Sequence, residues 1–432
     1  MRTIISGRQA VVSALVAPGL RENHGAEARG LTAAADKGGL MAPNAFVRWA
    51  FYLSVFSIPF ARLYVPGTGD RVGVTRIDQL LLLCAVASQP RICLRLFPVA
   101  LLWFGGYCVL RILSGLWLSP ELWSSWWPTT FDWLQFSLPW VWIMFNLLQF
   151  PKIRRGGLWA LVWGCSLCAS FHVLGIGVSA ADNSLEEVRT TVFDQNANLI
   201  GLIYATGLIS LVGLGISNDL KLSRQLLVLP LIGLLGLAMA KTGSRTALVL
   251  VVMGILVLLF QSESFASRTK RYSMLVLVGA VLAVIVWQVP TVMERFEDLD
   301  PHDLGRKNPR ARMVPVLWEI FLRSPIYGTG PDRYTFELTR RAMPYLVREQ
   351  RTISSHNLVL LLLVETGAIG FFVLTAGLCA ALAAAWRARQ KSCGLLPLAL
   401  YLPLFVAAIV LSNPTSNRAF WFTVACALAG AA

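Results

Sequence analysis

The sequence predicts an all-α membrane protein that crosses the bilayer about twelve times and carries one large loop on the outer face. Hydrophobic residues make up 56% of the 432 residues, and the mean hydropathy is +0.62. Charged residues make up 14%, against about 25% in soluble domains. The apolar residues are grouped in runs near the length of a bilayer-spanning helix. This composition excludes a water-soluble enzyme, a disordered chain and a disulfide scaffold.

The expected spans follow one another from residue 45 to the end of the chain. A bilayer core of about 30 Å needs roughly 20 apolar residues per helix. The spans are 45–65, 77–89, 96–117, 129–150, 157–178, 197–217, 222–240, 245–261, 273–290, 356–384, 394–412 and 418–432. The predicted regions are therefore a tail over 1–44, nine spans within 45–290, a loop over 291–355 and three spans within 356–432.

The distribution of charge predicts the orientation of these spans. The chain has 38 Lys and Arg residues against 23 Asp and Glu residues, which gives a net charge of +15. With a cytoplasmic N-terminus every short inner loop is basic, whereas the outer loop over 118–130 has neither Lys nor Arg. Because cytoplasmic loops carry the excess of cations, we expect both termini in the cytoplasm and the large loop in the periplasm. Membrane lipids are then the surroundings of the chain, and no nucleic acid is expected as a partner.

The large loop is expected to contain amphipathic helices. Between Pro309 and Arg323, apolar residues recur at helical spacing with charged residues between them. This pattern is typical of a helix that lies on a bilayer or over a cavity. A second helix is expected from Tyr334 to Glu349. Residues 1–44 have little pattern, and the stretch near their start is too weakly apolar for a signal peptide.

Several cations lie on the expected outer face, against the general charge pattern. Arg245 follows a tight turn between two spans, and an outer cluster of arginines suits an anionic headgroup because guanidinium geometry matches phosphate. The alternative is a set of solvated charges paired with nearby acids. We favour a functional role for Arg245 and the alternative for Arg340 and Arg341. The remaining outer cations are Arg189, Lys241, Arg310, Arg312, Arg333 and Arg418.

Ionisable residues within the expected spans are a second signal. Arg111, Asp132, His172 and Glu365 all fall in the outer half of the membrane. Such groups are costly in a bilayer and usually face a cavity or a partner. They therefore indicate a polar cavity open to the periplasm, although an Arg111–Asp132 pair that only joins two helices is an equal alternative.

His356 is the candidate for proton transfer. It opens the tenth span, near the N-terminus of a helix, where the helix dipole disfavours imidazolium. A neutral histidine there could accept a proton, whereas spacing alone also fits an interfacial or capping residue.

Four short stretches carry a family resemblance. They are Asp194-Gln-Asn196-Ala-Asn198; Gly243-Ser-Arg245-Thr246; Arg310 or Arg312 followed by Pro325-Ile-Tyr-Gly328-Thr-Gly330; and His356-Asn357 followed by Glu365-Thr-Gly367. In this order, and with a common outer placement, they resemble the bacterial O-antigen ligase and polymerase superfamily. Trp318 is displaced from the position usual in that family, which leaves Arg310 and Arg312 both open as the matching residue.

The resemblance implies a glycosyltransferase of the bacterial inner membrane with a GT-C-like fold. An O-antigen ligase of this kind moves a glycan from undecaprenyl diphosphate to a sugar hydroxyl of lipid A–core at the periplasmic face. We expect Arg245, Arg189 and either Arg310 or Arg312 to bind the diphosphate, and His356 to act as general base in an inverting transfer. Further substrate-binding candidates are Lys241, Asn196 and Asp194. The alternatives are a polymerase, a protein O-oligosaccharyltransferase and, from a different class, a flippase for lipid-linked oligosaccharides.

Neither a metal nor a cofactor is expected. Asp298-Leu-Asp300 formally matches the Asp-x-Asp motif of metal-dependent nucleotide-sugar transferases, but the chain has no soluble α/β domain of the kind that carries it. We interpret these residues as solvated loop acids. Gly328-Thr-Gly330 lacks the third glycine of a dinucleotide site, and we expect it to form a tight turn that returns the loop to the cavity.

Overall fold

The structure is a computed structural model. It describes residues 42–63, 73–95, 99–115, 137–180, 190–216, 222–260, 309–331, 333–342, 357–391, 393–410 and 417–431, together with 130, 276, 278–280 and 283. Within these residues the chain is helical apart from one small antiparallel sheet. The described helices belong to the unit Ala45–Ala432.

Six α-helices in the described residues precede the sheet. They are α1 (Ala45–Phe56), α2 (Val74–Ser88), the single turn α3 (Pro90–Cys93), α4 (Leu102–Gly115), α5 (Leu138–Leu148) and α6 (Pro151–Leu174). The sheet consists of strands β1 (Val178–Ala180) and β2 (Thr190–Val192), with Val178 opposite Val192.

Eight further α-helices with defined bounds follow the sheet in the part of the chain that the structure describes. They are α7 (Ala197–Ile216), α8 (Leu222–Lys241), α9 (Arg245–Leu259), α10 (Pro309–Arg323), α11 (Arg333–Ala342), α12 (Leu358–Ala388), α13 (Leu396–Val410) and α14 (Arg418–Ala431).

Helices α1 and α6 depart from the expected spans for reasons that lie in the local sequence, and α12 continues to Ala388, beyond its expected end at residue 384. Helix α1 stops at Phe56 rather than near residue 65, because Pro59 has no N–H to continue the helix and a short 3₁₀ turn takes its place. Helix α6 runs from Pro151 to Leu174 instead of 157–178. Proline is tolerated in the first turn, and Gly175 ends the helix in the left-handed conformation.

Three of the described helices are long and apolar enough to cross a membrane: Pro151–Leu174, Ala197–Gly215 and Leu358–Ala388. Seven further apolar helices in the described part of the chain have 10–17 residues. The protein is therefore mostly helical with helices able to span a bilayer. The count of twelve spans and the division into regions stay predictions, and most of the expected ninth span, 273–290, lies outside the described residues.

Helices α7 and α12 organise the packing. Helix α7 is buried along most of its length and contacts α6, α8, α9 and α13. Helix α12 contacts α4, α13 and α14, and it also contacts α10 and α11. It is therefore the element that joins the helical bundle to the two helices expected in the large outer loop.

Helix α10 has the predicted bounds, Pro309–Arg323. It buries Met313, Leu317 and Ile320, as its apolar spacing predicts. Helix α11 packs against α10 and covers 333–342. The remainder of the expected second helix, up to Glu349, lies outside the described residues.

Candidate functional site

A tight turn places Arg245 at the first position of α9. Helix α8 ends at Lys241, and Gly243 adopts a positive φ of 59° in the turn that follows. Ser244 then caps α9, because its side-chain oxygen accepts a hydrogen bond from the N–H of Ala247 at 3.4 Å. Arg245 is half-exposed. Arg245 therefore lies at the start of a helix, where the helix dipole favours an anion.

Lys241 has contacts that tie three elements together. Its ammonium donates to the carbonyl of Val173 at the end of α6, at 3.2 Å, and its own carbonyl accepts from the hydroxyl of Thr190 on β2 at 3.2 Å. Sequence analysis treated Lys241 as a substrate-binding candidate. The structure gives it a second role, which is to hold β2 and the end of α6 against the turn before Arg245.

Asp194 and Asn196 form the junction between β2 and α7. The carboxylate of Asp194 accepts from Ser179 at 2.9 Å, and its carbonyl accepts from Arg62 at 2.9 Å. The side-chain oxygen of Asn196 accepts from the N–H of Asn198 at 2.9 Å, which caps α7. Both residues therefore have local structural partners in addition to their predicted role.

Arg189, His356 and the side chains of Arg310 and Arg312 lie outside the described part of the structure. The described chain resumes at Thr190, one residue after Arg189, and at Asn357, one residue after His356. Asn357 caps α12 by accepting from the N–H of Leu360 at 3.1 Å. The backbone of Arg310 and Arg312 belongs to the first turn of α10.

Arg111 and Glu365 form a buried ion pair. Their side chains are only 6% and 3% exposed, and Nη1 of Arg111 lies 2.8 Å from Oε2 of Glu365. The structure therefore gives Arg111 a different partner from the Asp132 that sequence analysis considered; Asp132 lies outside the described residues. Because the pair joins α4 to α12, it fixes the first half of α12 within the bundle.

The turn over 325–330 joins α12 where that helix is interrupted. Gly367 has φ 66° and ψ −168° inside α12, a non-helical conformation that interrupts the helix. The N–H of Ala368 instead donates to Pro325 at 2.8 Å, and that of Ile369 donates to Ile326 at 3.4 Å. The carbonyls of Val364 and Glu365 accept from Thr329 at 2.7 Å and from Gly330 at 2.9 Å.

We call this set of four hydrogen bonds the loop clasp. It satisfies the backbone groups that the helix break exposes. Gly328 and Gly330 have positive φ values of 75° and 93°, so the expectation of a tight turn is confirmed. The turn returns the loop to α12 at the level of the Arg111–Glu365 pair.

His172 belongs to a separate buried network. One ring nitrogen lies 2.9 Å from the hydroxyl of Thr190, and the other lies 3.4 Å from the hydroxyl of Tyr204. Tyr204 is in turn 3.5 Å from the thiol of Cys168. His172 therefore has protein partners on both nitrogens and packs beneath β2, whereas Arg111 and Glu365 pair with each other. The structure thus gives these three residues two different sets of partners, although sequence analysis grouped them around one cavity.

The remaining outer cations are largely paired. Arg341 contacts Glu319 at 2.9 Å, and Arg340 contacts Glu337 at 3.3 Å, so the interpretation of Arg340 and Arg341 as loop charges paired with acids is confirmed. Arg418, at the start of α14, contacts Asp78 on α2 at 3.4 Å. Sequence analysis missed Asp78, although a carboxylate within an apolar run is itself a signal of a buried partner.

No group of three or more His, Cys, Asp and Glu side chains in the part of the chain that the structure covers could hold a metal ion. Asp298 and Asp300 lie outside it.

A comparison with protein-family models gives one match. Residues 230–375 match the model described as O-antigen ligase, which confirms the family resemblance found from the motifs. The matched segment includes the turn before Arg245, helices α10 and α11, and the loop clasp. No curated protein matches the chain.

Proposed function

We propose that this chain, whose residues 230–375 match the family model described as O-antigen ligase, ligates a lipid-linked glycan to lipid A–core. The family implies an enzyme of the glycosyl-transfer type. The proposed donor is an O-antigen chain on undecaprenyl diphosphate, and the proposed acceptor is a sugar hydroxyl of lipid A–core. The observation that carries the proposal is that the matched segment contains both Arg245 at a capped helix start and the loop clasp.

Charge on the leaving group dominates the chemistry of such a transfer. The acceptor oxygen forms a bond to the anomeric carbon while the bond from that carbon to the diphosphate oxygen breaks. Arginines stabilise the charge that develops on the diphosphate and can replace a metal ion in this role. We assign this function to Arg245, to Arg189 and to one of Arg310 and Arg312, so that transfer proceeds without a metal.

The proton of the acceptor hydroxyl must leave as the new bond forms. We assign its acceptance to His356, acting as general base. His356 directly precedes Asn357, the residue that caps α12. The contacts of Asn357 and Glu365 support this assignment, because they hold the start of α12 in place. Direct displacement inverts the configuration at the anomeric carbon.

The proposed location is the inner membrane, with both termini in the cytoplasm and the site facing the periplasm. Helices α6, α7 and α12 support membrane insertion by their length and apolar composition. The sidedness rests on the distribution of Lys and Arg among the short loops.

A polymerase and a protein O-oligosaccharyltransferase would use the same donor and differ in the acceptor. The one large loop that the sequence predicts on the outer face favours the ligase. A flippase is disfavoured because it requires access from both faces, whereas the motif residues are expected on one face.

Purified protein incubated with both lipid substrates and EDTA distinguishes these activities. A single gel shift to glycan-bearing lipid A–core supports the ligase. A ladder of longer lipid-linked glycans identifies a polymerase instead, and transfer only to an added protein acceptor identifies an oligosaccharyltransferase. If no product forms with active control enzymes, the proposal is overturned and translocation of the lipid-linked glycan becomes the activity to measure.

A further inference from the structure

A pocket of about 330 Å³ lies between the end of α10, the turn over 325–330 and α11. Its charged lining consists of Arg323, Arg333, Arg341 and Glu337. Three guanidinium groups face one carboxylate, so the lining has two more positive than negative charges. The proposed transfer mechanism uses none of these residues.

The arginines retain hydrogen-bond donors for a ligand. Arg341 uses Nε for Glu337 and Nη1 for Glu319, and Arg323 uses one nitrogen for Glu319. Each guanidinium has five N–H donors, so both have others to spare. Arg333 forms no ion pair with any carboxylate in the described part of the chain. The single acid of the lining, Glu337, is already neutralised by Arg340 and Arg341.

This pocket is too far from the loop arginines to bind the same diphosphate group. Arg310 and Arg323 stand at opposite ends of α10, and a rise of 1.5 Å per residue separates their backbones by about 20 Å. For Arg312 the separation is about 17 Å. A diphosphate group held near the start of α10 therefore leaves the pocket free for a second anionic group.

Groups suited to a sugar lie beside the arginines. Tyr327 is 56% exposed and contributes to the lining. Ser324 and Thr329 add hydroxyl groups, and the hydroxyl of Thr329 donates to Val364 at 3.0 Å, which leaves its oxygen able to accept. An aromatic ring and hydroxyl groups next to a guanidinium cluster match a saccharide that bears a phosphate.

We infer that the pocket binds a phosphorylated sugar and thereby recognises a phosphate-bearing residue of one of the two glycolipid substrates. The inference rests on the proposed function only for the source of that sugar. Because the pocket adjoins the loop clasp, a bound sugar phosphate would lie against the same turn that fixes the loop to α12.

Titration calorimetry on the full-length protein in detergent tests the inference without any transfer reaction. The ligands are glucose 6-phosphate, glucose and inorganic phosphate. The proteins are the wild type, Arg333→Gln, Arg323→Gln and the control Arg387→Gln, which removes the same charge from an exposed position on α12 outside the pocket lining. Thermal melting establishes that each variant is folded, and the exposed position of Arg323 makes it a variant with little effect on folding.

We expect the wild type to bind glucose 6-phosphate more tightly than phosphate and to give no signal with glucose. Loss of one charge-assisted contact should weaken binding about tenfold in Arg333→Gln and Arg323→Gln, and Arg387→Gln should stay within about twofold of the wild type. Equal affinities in all four proteins would overturn the inference. So would binding of phosphate as tight as that of the sugar phosphate, or equal binding of glucose. Intact sugar-phosphate binding without ligation would contradict the proposed function and leave the pocket assignment standing.

Discussion

Arg111 and Glu365 are 254 residues apart in the chain, yet their side chains meet at 2.8 Å in the buried interior. Glu365 also contributes its backbone carbonyl to the loop clasp, where it accepts from Gly330 at 2.9 Å. One residue thus links α4, the break in α12 and the outer loop. We infer that this connection holds the turn over 325–330 in a fixed position against α12.

Removing one member of the Arg111–Glu365 pair should destabilise the protein strongly. Glu365→Leu leaves a buried guanidinium without its carboxylate, which typically costs about 3–5 kcal/mol. The double variant Arg111→Met with Glu365→Leu removes both charges and should recover most of that loss. Thermal melting of the three proteins in one detergent provides the measurement. A single variant that melts like the wild type would show that the pair contributes nothing to stability.

The helix break at Gly367 should tolerate no side chain. Its φ and ψ lie in a region that is essentially restricted to glycine, and an added Cβ would clash with the carbonyl of Ile326. We expect Gly367→Ala to lower the melting temperature and to cost about 1–3 kcal/mol. Gly233→Ala on α8 is the matched control, because an added Cβ there meets nothing within 4 Å. If both variants melt alike, the clasp is not a required part of the fold.

Asn196 should act through its helix cap. Asn196→Ala removes the acceptor for the N–H of Asn198 and should cost about 1 kcal/mol, whereas Asn196→Ser preserves a capping oxygen. We expect the serine variant to retain both melting temperature and ligation activity. Normal melting together with lost activity in Asn196→Ser would instead assign the amide to substrate binding, as the motif resemblance implies.

His356 should be required for turnover and dispensable for folding. If it accepts the acceptor proton, His356→Ala should lower kcat by about 10²–10⁴-fold. The wild-type rate should also fall at acidic pH, because imidazolium cannot accept a proton. Initial rates across a pH series, with melting curves as the folding control, test both statements. Near-normal turnover in the alanine variant would rule out His356 as the base.

Local sequence patterns predicted the bounds of individual helices better than they predicted which distant residues contact each other. Helix α10 has the expected bounds, and α7 and α14 agree with the expected spans to within one residue at their ends. In these segments the apolar period and the flanking residues are local signals. The predicted ends of α1 and α6 were wrong. Pro59 and Gly175 stop these helices although apolar residues continue beyond them.

The partners of the buried charges could not be found in this way. Arg111 and Glu365 were both recognised as buried ionisable groups, but spacing along the chain says nothing about which distant acid meets which base. The hydrogen bonds of the loop clasp could not be predicted from spacing along the chain either. Both of its halves, Pro325–Gly330 and Glu365–Gly367, were identified as motifs, whereas their exchange of hydrogen bonds depends on the backbone geometry at Gly367.

The role of Arg245 is the central claim of the account, and ligation by purified Arg245→Ala tests it most directly. The assay contains lipid-linked O-antigen, lipid A–core and EDTA, and it compares this variant with the wild type and with Arg340→Ala, which removes a paired outer arginine. Loss of a group that stabilises the leaving charge should reduce transfer by about 100-fold or more, while Arg340→Ala and the melting temperatures stay close to the wild type. Wild-type ligation by a folded Arg245→Ala protein would contradict the account.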